Sequence, residues 1–426
     1  MKKTPIQRVV VLMMENQSFD RALGFVAGDL GKRNGKILRN TSRKSLPFTP
    51  NADPIADHVF DPEHTFESTT MQLWGRAGQS RTAPTTTHML AAHKTLSEDL
   101  STALMRCFAP GTLPAMHTLA ENFVVCDRWF ASVPGATGPN RLFAHAATSG
   151  GYAGDAWLHT QGLTPPDTIC TTFESLHVNK RYWGIYGHQN LMTALAFPFV
   201  REHSSNVHTL DRFFADCESG KLPHYCWLVP ELWQQSQHPC PPEYGPPHGM
   251  VNGDNLIADV YEAIRQNPEL WENTLLVITY DEAGGYADSV ACTEKFPRIV
   301  AFDKQKTSSG VSNASVAPEW TEGYPDDHKS CDYDFGWVGV RVPAILVSAY
   351  LPRGQRDHTT YEHSCIAASL KHLFDLDSGV RADGFLTERD AHASSWFSNG
   401  LFNFDCQSRG DDAPMILPRS SELLQN

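Results

Sequence analysis

The clearest pattern along this chain is a set of apolar runs that stop abruptly at acidic residues. Arg8-Val-Val-Val-Leu-Met-Met14 runs into Glu15-Asn16-Gln17-Ser18-Phe19-Asp20, and Thr274-Leu-Leu-Val-Ile-Thr-Tyr280 runs into Asp281-Glu282-Ala283-Gly284-Gly285. Both runs are short, rich in β-branched residues and continuous rather than alternating. That pattern predicts strands buried on both faces of a parallel sheet. Val124-Val125-Cys126 and Val342-Pro-Ala-Ile-Leu-Val-Ser348 are predicted to enter the same sheet. Leu113 to Phe123 predicts a helix with Pro114 near its start. Gly253 to Asn267 predicts another, with Ile257, Val260 and Ile264 on one face and Asn252 or Asp254 as its cap.

The remaining segments carry weaker patterns. Residues 31–90 are polar, rich in Thr, Ser, Pro and His, and are expected to form long loops over the strand ends. Residues 151–240 mix aromatics with Pro and Gly and are expected to form a lid or cap. Residues 291–335 read as an excursion, and 407–426 as a poorly ordered tail. There is no internal repeat and no low-complexity tract. The expected architecture is α/β: a largely parallel central sheet flanked by helices, in a single catalytic domain over 1–406, with long loops or a small cap over the site.

Composition narrows the function classes. A chain of 426 residues with 41% hydrophobic and 19% charged content can bury a substantial core. Its 35 basic and 48 acidic residues give a net charge of -13. That argues against a nucleic-acid partner, which needs a basic face. It leaves an anionic substrate open, because a bound cation reverses the sign locally. No run approaches the length of a membrane span. The first predicted strand follows Met1-Lys-Lys-Thr-Pro-Ile-Gln7 directly, so no cleavable leader is expected. The expected location is the cytoplasm, or outside the cell through a specialised secretion system. The 10 cysteines form no Cys-x-x-Cys pair, so buried free thiols are expected rather than a zinc ribbon. The Asn313-Ala-Ser315 sequon is read as chance.

Parallel sheets place ligands beyond the carboxyl ends of their strands. Glu15, Asn16, Asp281 and Glu282 would converge there, and three carboxylates with one amide are costly unless a cation holds them. N-capping or strand-end solvation would explain either acidic stretch alone; the two together favour a divalent-metal site. Ser132-Val-Pro-Gly-Ala-Thr137-Gly-Pro-Asn-Arg141 places Thr137 between Gly and Pro residues that set a tight turn. A metal-bound hydroxyl there would be a nucleophile needing no separate base; the plainer alternative is a capping threonine.

Several stretches, in this order, resemble the bacterial phosphoesterase family, which includes phosphatidylcholine-type phospholipases C and an acid phosphatase branch within the alkaline-phosphatase-like superfamily. They are Glu15-Asn-x-Ser-Phe-Asp20, Cys126-Asp-Arg-Trp-Phe130, Pro134-Gly-Ala-Thr-Gly-Pro-Asn-Arg141, Tyr280-Asp-Glu-x-Gly-Gly285, Arg341-Val-Pro343, Asp357-His-Thr359 with Tyr361-Glu-His363, and Leu386-Thr-Glu-Arg-Asp390. The similarity spans roughly residues 8 to 391. It implies an alkaline-phosphatase-like sheet and metal ligation by Glu15, Asn16, Thr137, Asp281 and Glu282. It also implies that Thr137 accepts the phosphoryl group. Many relatives have Arg at Gln17, His at Ser289 and Pro at Ala136; none of these departures removes an implied ligand.

Among 19 histidines, the resemblance points to His64 and His248 as phosphate-side groups that stabilise charge or protonate the leaving alkoxide. His358 and His363 follow a predicted strand end and are candidates for further metal or phosphate contacts, or for organising loops. His88 and His93 read as a surface loop, while His224 and His238 stay unassigned. Asn140 and Arg141 would hold the Thr137 turn or touch phosphate, and Asp288 would orient the Gly284-Gly285 loop.

The leading expectation is a metal-dependent phospholipase C that cleaves the glycerol-side phosphodiester of a phosphatidylcholine-like lipid at a membrane surface, through a phosphothreonine intermediate. The alternatives are a phosphomonoesterase of acid phosphatase type and a catalytically inactive lipid-binding protein. Zinc is the first expectation for the metal, with calcium or manganese also compatible with oxygen ligands. Trp157, Phe173, Trp183, Tyr186, Phe197, Phe199, Trp227 and Trp233 add modest support for a choline partner, since aromatic faces attract quaternary ammonium.

Overall fold

The two diagnostic runs lie side by side at the centre of one sheet. The structure is a computed structural model that describes residues 4–32, 37–39, 45–78, 82–93, 98–154, 169–188, 193–298, 333–377, 381–404 and 412–420. Its strands in chain order begin with β1 (Arg8–Met14), β2 (Ile37–Arg39), β3 (Ser45–Pro47), β4 (Val124–Cys126), β5 (Trp129–Phe130) and β6 (Trp183–Gly187). They continue with β7 (Val207–His208), β8 (Tyr225–Val229), β9 (Thr274–Tyr280), β10 (Ala344–Val347), β11 (Arg356–Asp357) and β12 (Tyr361–Glu362). Eight of them form the main sheet in the order β11-β4-β10-β9-β1-β8-β6-β7. β1 pairs in parallel with both β8 and β9. Only β10 runs against its neighbours β9 and β4. The expected α/β architecture, a largely parallel sheet flanked by helices, is what forms.

Val9 to Met14 and Leu275 to Tyr280 are buried on both faces, which explains their unbroken apolar character. The aromatic-rich stretch 151–240 does not behave as a lid where it is described. It supplies β6, β7 and β8 and thereby completes one side of the main sheet. Phe173, Trp183, Tyr186, Phe197 and Trp227 pack in the core rather than on a choline-facing surface. Phe199 and Trp233 are half-buried, and Trp157 lies outside the described residues.

Two helix expectations need adjustment. Pro114–Asn122 forms as predicted, with Pro114 in its first turn. The next helix begins earlier than predicted and spans Gly249–Arg265, so neither Asn252 nor Asp254 caps it. The Asp254 carboxylate instead accepts hydrogen bonds from the amides of Ala115 (3.0 Å) and Met116 (2.9 Å), capping the neighbouring helix. It also accepts a hydrogen bond from the Ser420 hydroxyl at 2.6 Å. The expected tail therefore packs on the fold over 412–420: Leu417 and Ser420 are buried, and Arg419 pairs with Glu262 at 2.7 Å. Strand β9 begins at Thr274, because Trp271 belongs to the helix Pro268–Asn273.

The described cysteines are free, and all but Cys170 are buried; Cys331, Cys406 and the Asn313 sequon lie outside the described residues. Asp254→Ala removes a cap from one helix and the anchor of Ser420 together. It should lower the unfolding free energy by about 1–2 kcal/mol, the ordinary worth of an N-cap, and depress the melting temperature in calorimetry.

Candidate active site

Register places the acidic residues. β1 and β9 pair from Arg8↔Thr274 through Met14↔Tyr280, so the residues that follow, Glu15 and Asp281, emerge from adjacent strand ends. The Asp281 amide donates to the Met14 carbonyl at 3.3 Å, and the Asn16 amide donates to Asp281 Oδ1 at 3.2 Å. Asn16 has φ 54, a left-handed turn that asparagine tolerates better than most residues. Gly284 (φ 61) and Gly285 (φ 71) then let two other loops close in. A Cβ on Gly284 would lie 2.5 Å from the Asn16 carbonyl oxygen, and one on Gly285 2.6 Å from the Glu63 carbonyl oxygen. Only glycine fits between these backbones.

Thr137 reaches the same place from a third direction. It is the first residue of the helix Thr137–Ala146. The loop before it is tied by Asn140, whose Oδ1 accepts from the Val133 amide at 2.9 Å. Its Nδ2 donates to the carbonyls of Val133, Gly135 and Ala136 at 3.2, 3.1 and 3.0 Å. One residue earlier in the chain, the Ser132 hydroxyl donates to Glu362, which Arg389 holds at 3.1 Å. Thr137 Oγ1 donates to Glu15 Oε2 at 3.2 Å.

Arg141, one turn further along that helix, is fully buried among the carboxylates. Its Nε donates to Glu15 Oε1 at 2.9 Å and lies 3.4 Å from Asp281 Oδ2. Its Nη2 donates to Glu15 Oε1 at 2.5 Å and to the carbonyls of Met13 and Met14 at 3.2 and 3.3 Å. One guanidinium does not balance the cluster. Burial, reinforced by the Glu15 charge and opposed by Arg141, pushes Asp281 up to about 7. Burial likewise raises Glu282 well above the usual carboxylate range. Asn16 Oδ1, Asp281 Oδ2 and Glu282 Oε1 are buried oxygens with no hydrogen-bond partner. Hard oxygen donors left unsatisfied around excess negative charge are the donor set a divalent cation requires, so the residues fit such an ion.

The histidines divide differently from the sequence expectation. His64 Nε2 lies 3.4 Å from Asn16 Nδ2 and 3.9 Å from Glu282 Oε1, which puts this ring at the cluster. His248 precedes the helix Gly249–Arg265 and is half-buried; among the described residues no hydrogen bond, ion pair or ring contact joins its side chain to the cluster. His238 comes to the site instead: its ring meets His64 edge-on at 6.1 Å between centroids. His363 is buried behind Asp281, with Nε2 on the Asp281 carbonyl at 2.7 Å and Nδ1 accepting from Trp129 Nε1 at 3.2 Å. Both of its ring nitrogens are thus used in positioning. His358 is largely exposed and pairs with Asp127 at 2.8 Å, with no hydrogen bond, ion pair or ring contact to the carboxylate cluster among the described residues. The contacts of both rings are to protein groups, in keeping with the loop-organising role among the readings considered for them. His88 is half-buried in its loop, and the His93 side chain lies outside the described residues.

Asp288 does not act on the glycines directly. It joins Asp20 and Arg341 in a second buried network, with Arg341 at 3.1 Å from Asp288 and 2.9 Å from Asp20. Gln17 donates to the Gln237 carbonyl at 3.0 Å and accepts from Arg21 at 3.1 Å, steadying the loop that carries His238. Asp61 and His238 escaped the sequence reading. His238 follows the carboxyl end of β8, so the same strand-end rule that selected Glu15 and Asp281 would have selected it. His224 precedes β8 and belongs to the opposite end of that strand.

The chain matches the phosphoesterase family over residues 6–377. It is 34% identical over 441 residues to non-specific phospholipase C6 of Arabidopsis thaliana, covering 99% of this chain and 76% of that protein. Non-specific phospholipase C3 of the same plant is 32% identical over 441 residues, covering 97% and 76%. Non-hemolytic phospholipase C of Burkholderia pseudomallei is 25% identical over 452 residues, covering 94% and 59%. Among the described residues, no helix is long and apolar enough to cross a membrane.

Arg141 is the resident counter-charge of two buried carboxylates. Arg141→Ala, which strands both, should cost roughly 3–5 kcal/mol in chemical denaturation of the ion-free protein. An unchanged denaturation midpoint would show that the carboxylates do not rely on it.

Proposed function

This chain belongs to the phosphoesterase family and is a phosphoric ester hydrolase; we propose that it is a metal-dependent phospholipase C with Thr137 as its nucleophile. The observation that carries the proposal is the meeting of the Thr137 hydroxyl with Glu15 Oε2 at 3.2 Å, beside unsatisfied buried oxygens of Asn16, Asp281 and Glu282. Glu15, Asn16, Thr137, Asp281 and Glu282 would hold the cation, with zinc our first assignment. When bound, such an ion lowers the pKa of a coordinated hydroxyl and draws charge from a phosphoryl oxygen.

The chain's own residues account for the remainder. The positive end of the helix Thr137–Ala146 faces the place where a phosphate would dock, and Asn140 fixes the turn that presents the hydroxyl. Thr137 Oγ1 gives up its proton and attacks phosphorus. A new O–P bond forms as the bond from phosphorus to the glycerol oxygen breaks, and that oxygen departs as diacylglycerol after taking a proton. Water then attacks the phosphothreonine, releasing the phosphorylated headgroup and restoring the hydroxyl. Arg141 holds Glu15 and Asp281 in place through both stages, and His363 fixes the Asp281 backbone from behind. His64 stands at the edge of the cluster; the leaving-group role considered for His248 gains no support from its position.

The relatives named as phospholipases C support a lipid diester over a phosphomonoester as substrate. Phosphatidylcholine vesicles and p-nitrophenyl phosphate, each offered with and without a chelator, separate the possibilities. Diacylglycerol release that chelation suppresses and zinc restores is expected. Preferential monoester cleavage would make the protein a phosphatase, and no turnover of either substrate would leave it a lipid binder. Thr137→Ala should lower turnover by more than about 10³-fold with an unchanged melting temperature. Near-normal activity in that variant would remove Thr137 as nucleophile.

A further inference from the structure

The large hydrophobic side chains exposed among the described residues fall into three pairs. Val178 and Tyr182 precede β6 and lie at the amino ends of the strands. Met415 and Ile416 follow Ala413 and Pro414, whose carbonyls accept from Arg265 and Tyr261 at the far end of the helix Gly249–Arg265. Only Val59 (37% exposed) and Tyr244 (53%) stand on loops that reach the carboxylate corner. We propose that Val59 and Tyr244, with Trp233 behind them, form the surface on which this protein seats against a zwitterionic phospholipid bilayer.

The two loops make one rim. The Cys240 amide donates to the His58 carbonyl at 2.8 Å, which joins the residue before Val59 to the loop of Tyr244. Tyr244 stacks on the half-buried Trp233, with 4.2 Å between centroids and 2° between planes. Trp233 meets His238 edge-on at 4.9 Å, and His238 meets His64, which stands at the cluster. Rings therefore run without a break from the exposed phenol to the site. The loop is also stiff. Pro239, Pro241, Pro242, Pro246 and Pro247 punctuate it, and the Pro246 carbonyl accepts from Gln234 Nε2 at 3.2 Å. A fixed φ at each proline lets the loop hold a ring in water with little ordering left to impose on contact.

The chemistry of the rim selects its partner. Tyr and Trp rings, apolar at one end and polar at the other, settle at the headgroup level of a bilayer. The stacked pair is no choline cage, because rings 4.2 Å apart leave no space for an ammonium group between them. Charge decides the kind of bilayer. Residues 51–64 and 231–248 contain no Lys or Arg, and Glu63 and Glu243 are exposed there. Attraction to an acidic leaflet takes a basic cluster, so this rim is repelled by one. A zwitterionic leaflet carries no net charge and accepts the apolar tips.

This inference rests on the preceding reading for the bilayer as the source of substrate, and its test separates the two. The full chain carrying Thr137→Ala, which consumes no lipid, is sedimented with phosphatidylcholine vesicles. Binding is expected, and Val59→Ser combined with Tyr244→Ser should weaken it by about tenfold or more. Tyr182→Ser, which removes a still more exposed ring from the opposite end, should leave binding unchanged. Mixing phosphatidylglycerol into the vesicles should weaken it. Tyr244→Asp decides the matter should the double variant fail to reproduce the parent's circular dichroism and melt. No vesicle binding by the parent, undiminished binding by the rim variants, tighter binding to phosphatidylglycerol, or displacement by soluble phosphocholine overturns the docking surface. Diacylglycerol release is scored apart, with Thr137 restored and a short-chain phosphatidylcholine held below its micelle concentration. Release there without vesicle binding sinks the surface and leaves the phospholipase reading standing; vesicle binding without release does the reverse.

Discussion

Everything at this site follows from the in-register pairing of β1 with β9. Seven consecutive residues of each strand lie opposite one another, so both chains leave the sheet at the same level. Glu15 and Asp281 are thereby forced together at a depth where neither sees water. Such proximity of like charges opposes folding, and the molecule answers it locally with Arg141. A one-residue slip would turn every side chain of β1 to the other face and separate the pair. The buried apolar contacts along both strands exclude that slip, so the hydrophobic core sets the geometry of the polar corner.

The corner is then braced by groups that never reach its centre. Asn140 ties the loop ahead of Thr137, and Glu362 with Arg389 holds Ser132 just before it. His363 fastens the Asp281 backbone, while Asp288, held by Arg341 together with Asp20, ties down the chain that follows the glycine pair. Catalytic geometry of this kind depends on supporting residues whose own positions are fixed. Several of the motifs spread along this chain are therefore braces, and only a few are candidates for the chemistry.

What could be read from sequence followed burial. β1 and β9 are central strands of a parallel sheet, so they appear as uninterrupted apolar runs, and their acidic ends are conspicuous. Thr137 is conspicuous too, because few turns carry Gly and Pro on both sides. The helix start at Gly249 was hidden because its cap, His248, makes no side-chain capping bond and glycine is a poor helix former. The stretch 151–240 looked like a lid because aromatics, Pro and Gly also describe short strands packed with large rings; β7 is only two residues long. His238 stayed unassigned because β8 was not read as a strand, and with it the strand-end position of that histidine was missed.

Arg141 also sets the electrical character of this corner. Glu15, Asp281 and Glu282 contribute three negative charges when ionised and the guanidinium returns one positive, leaving two to be met by protons or a bound cation. Without Arg141 the same carboxylates would hold three, and a single divalent cation would leave the corner anionic toward an approaching phosphate ester.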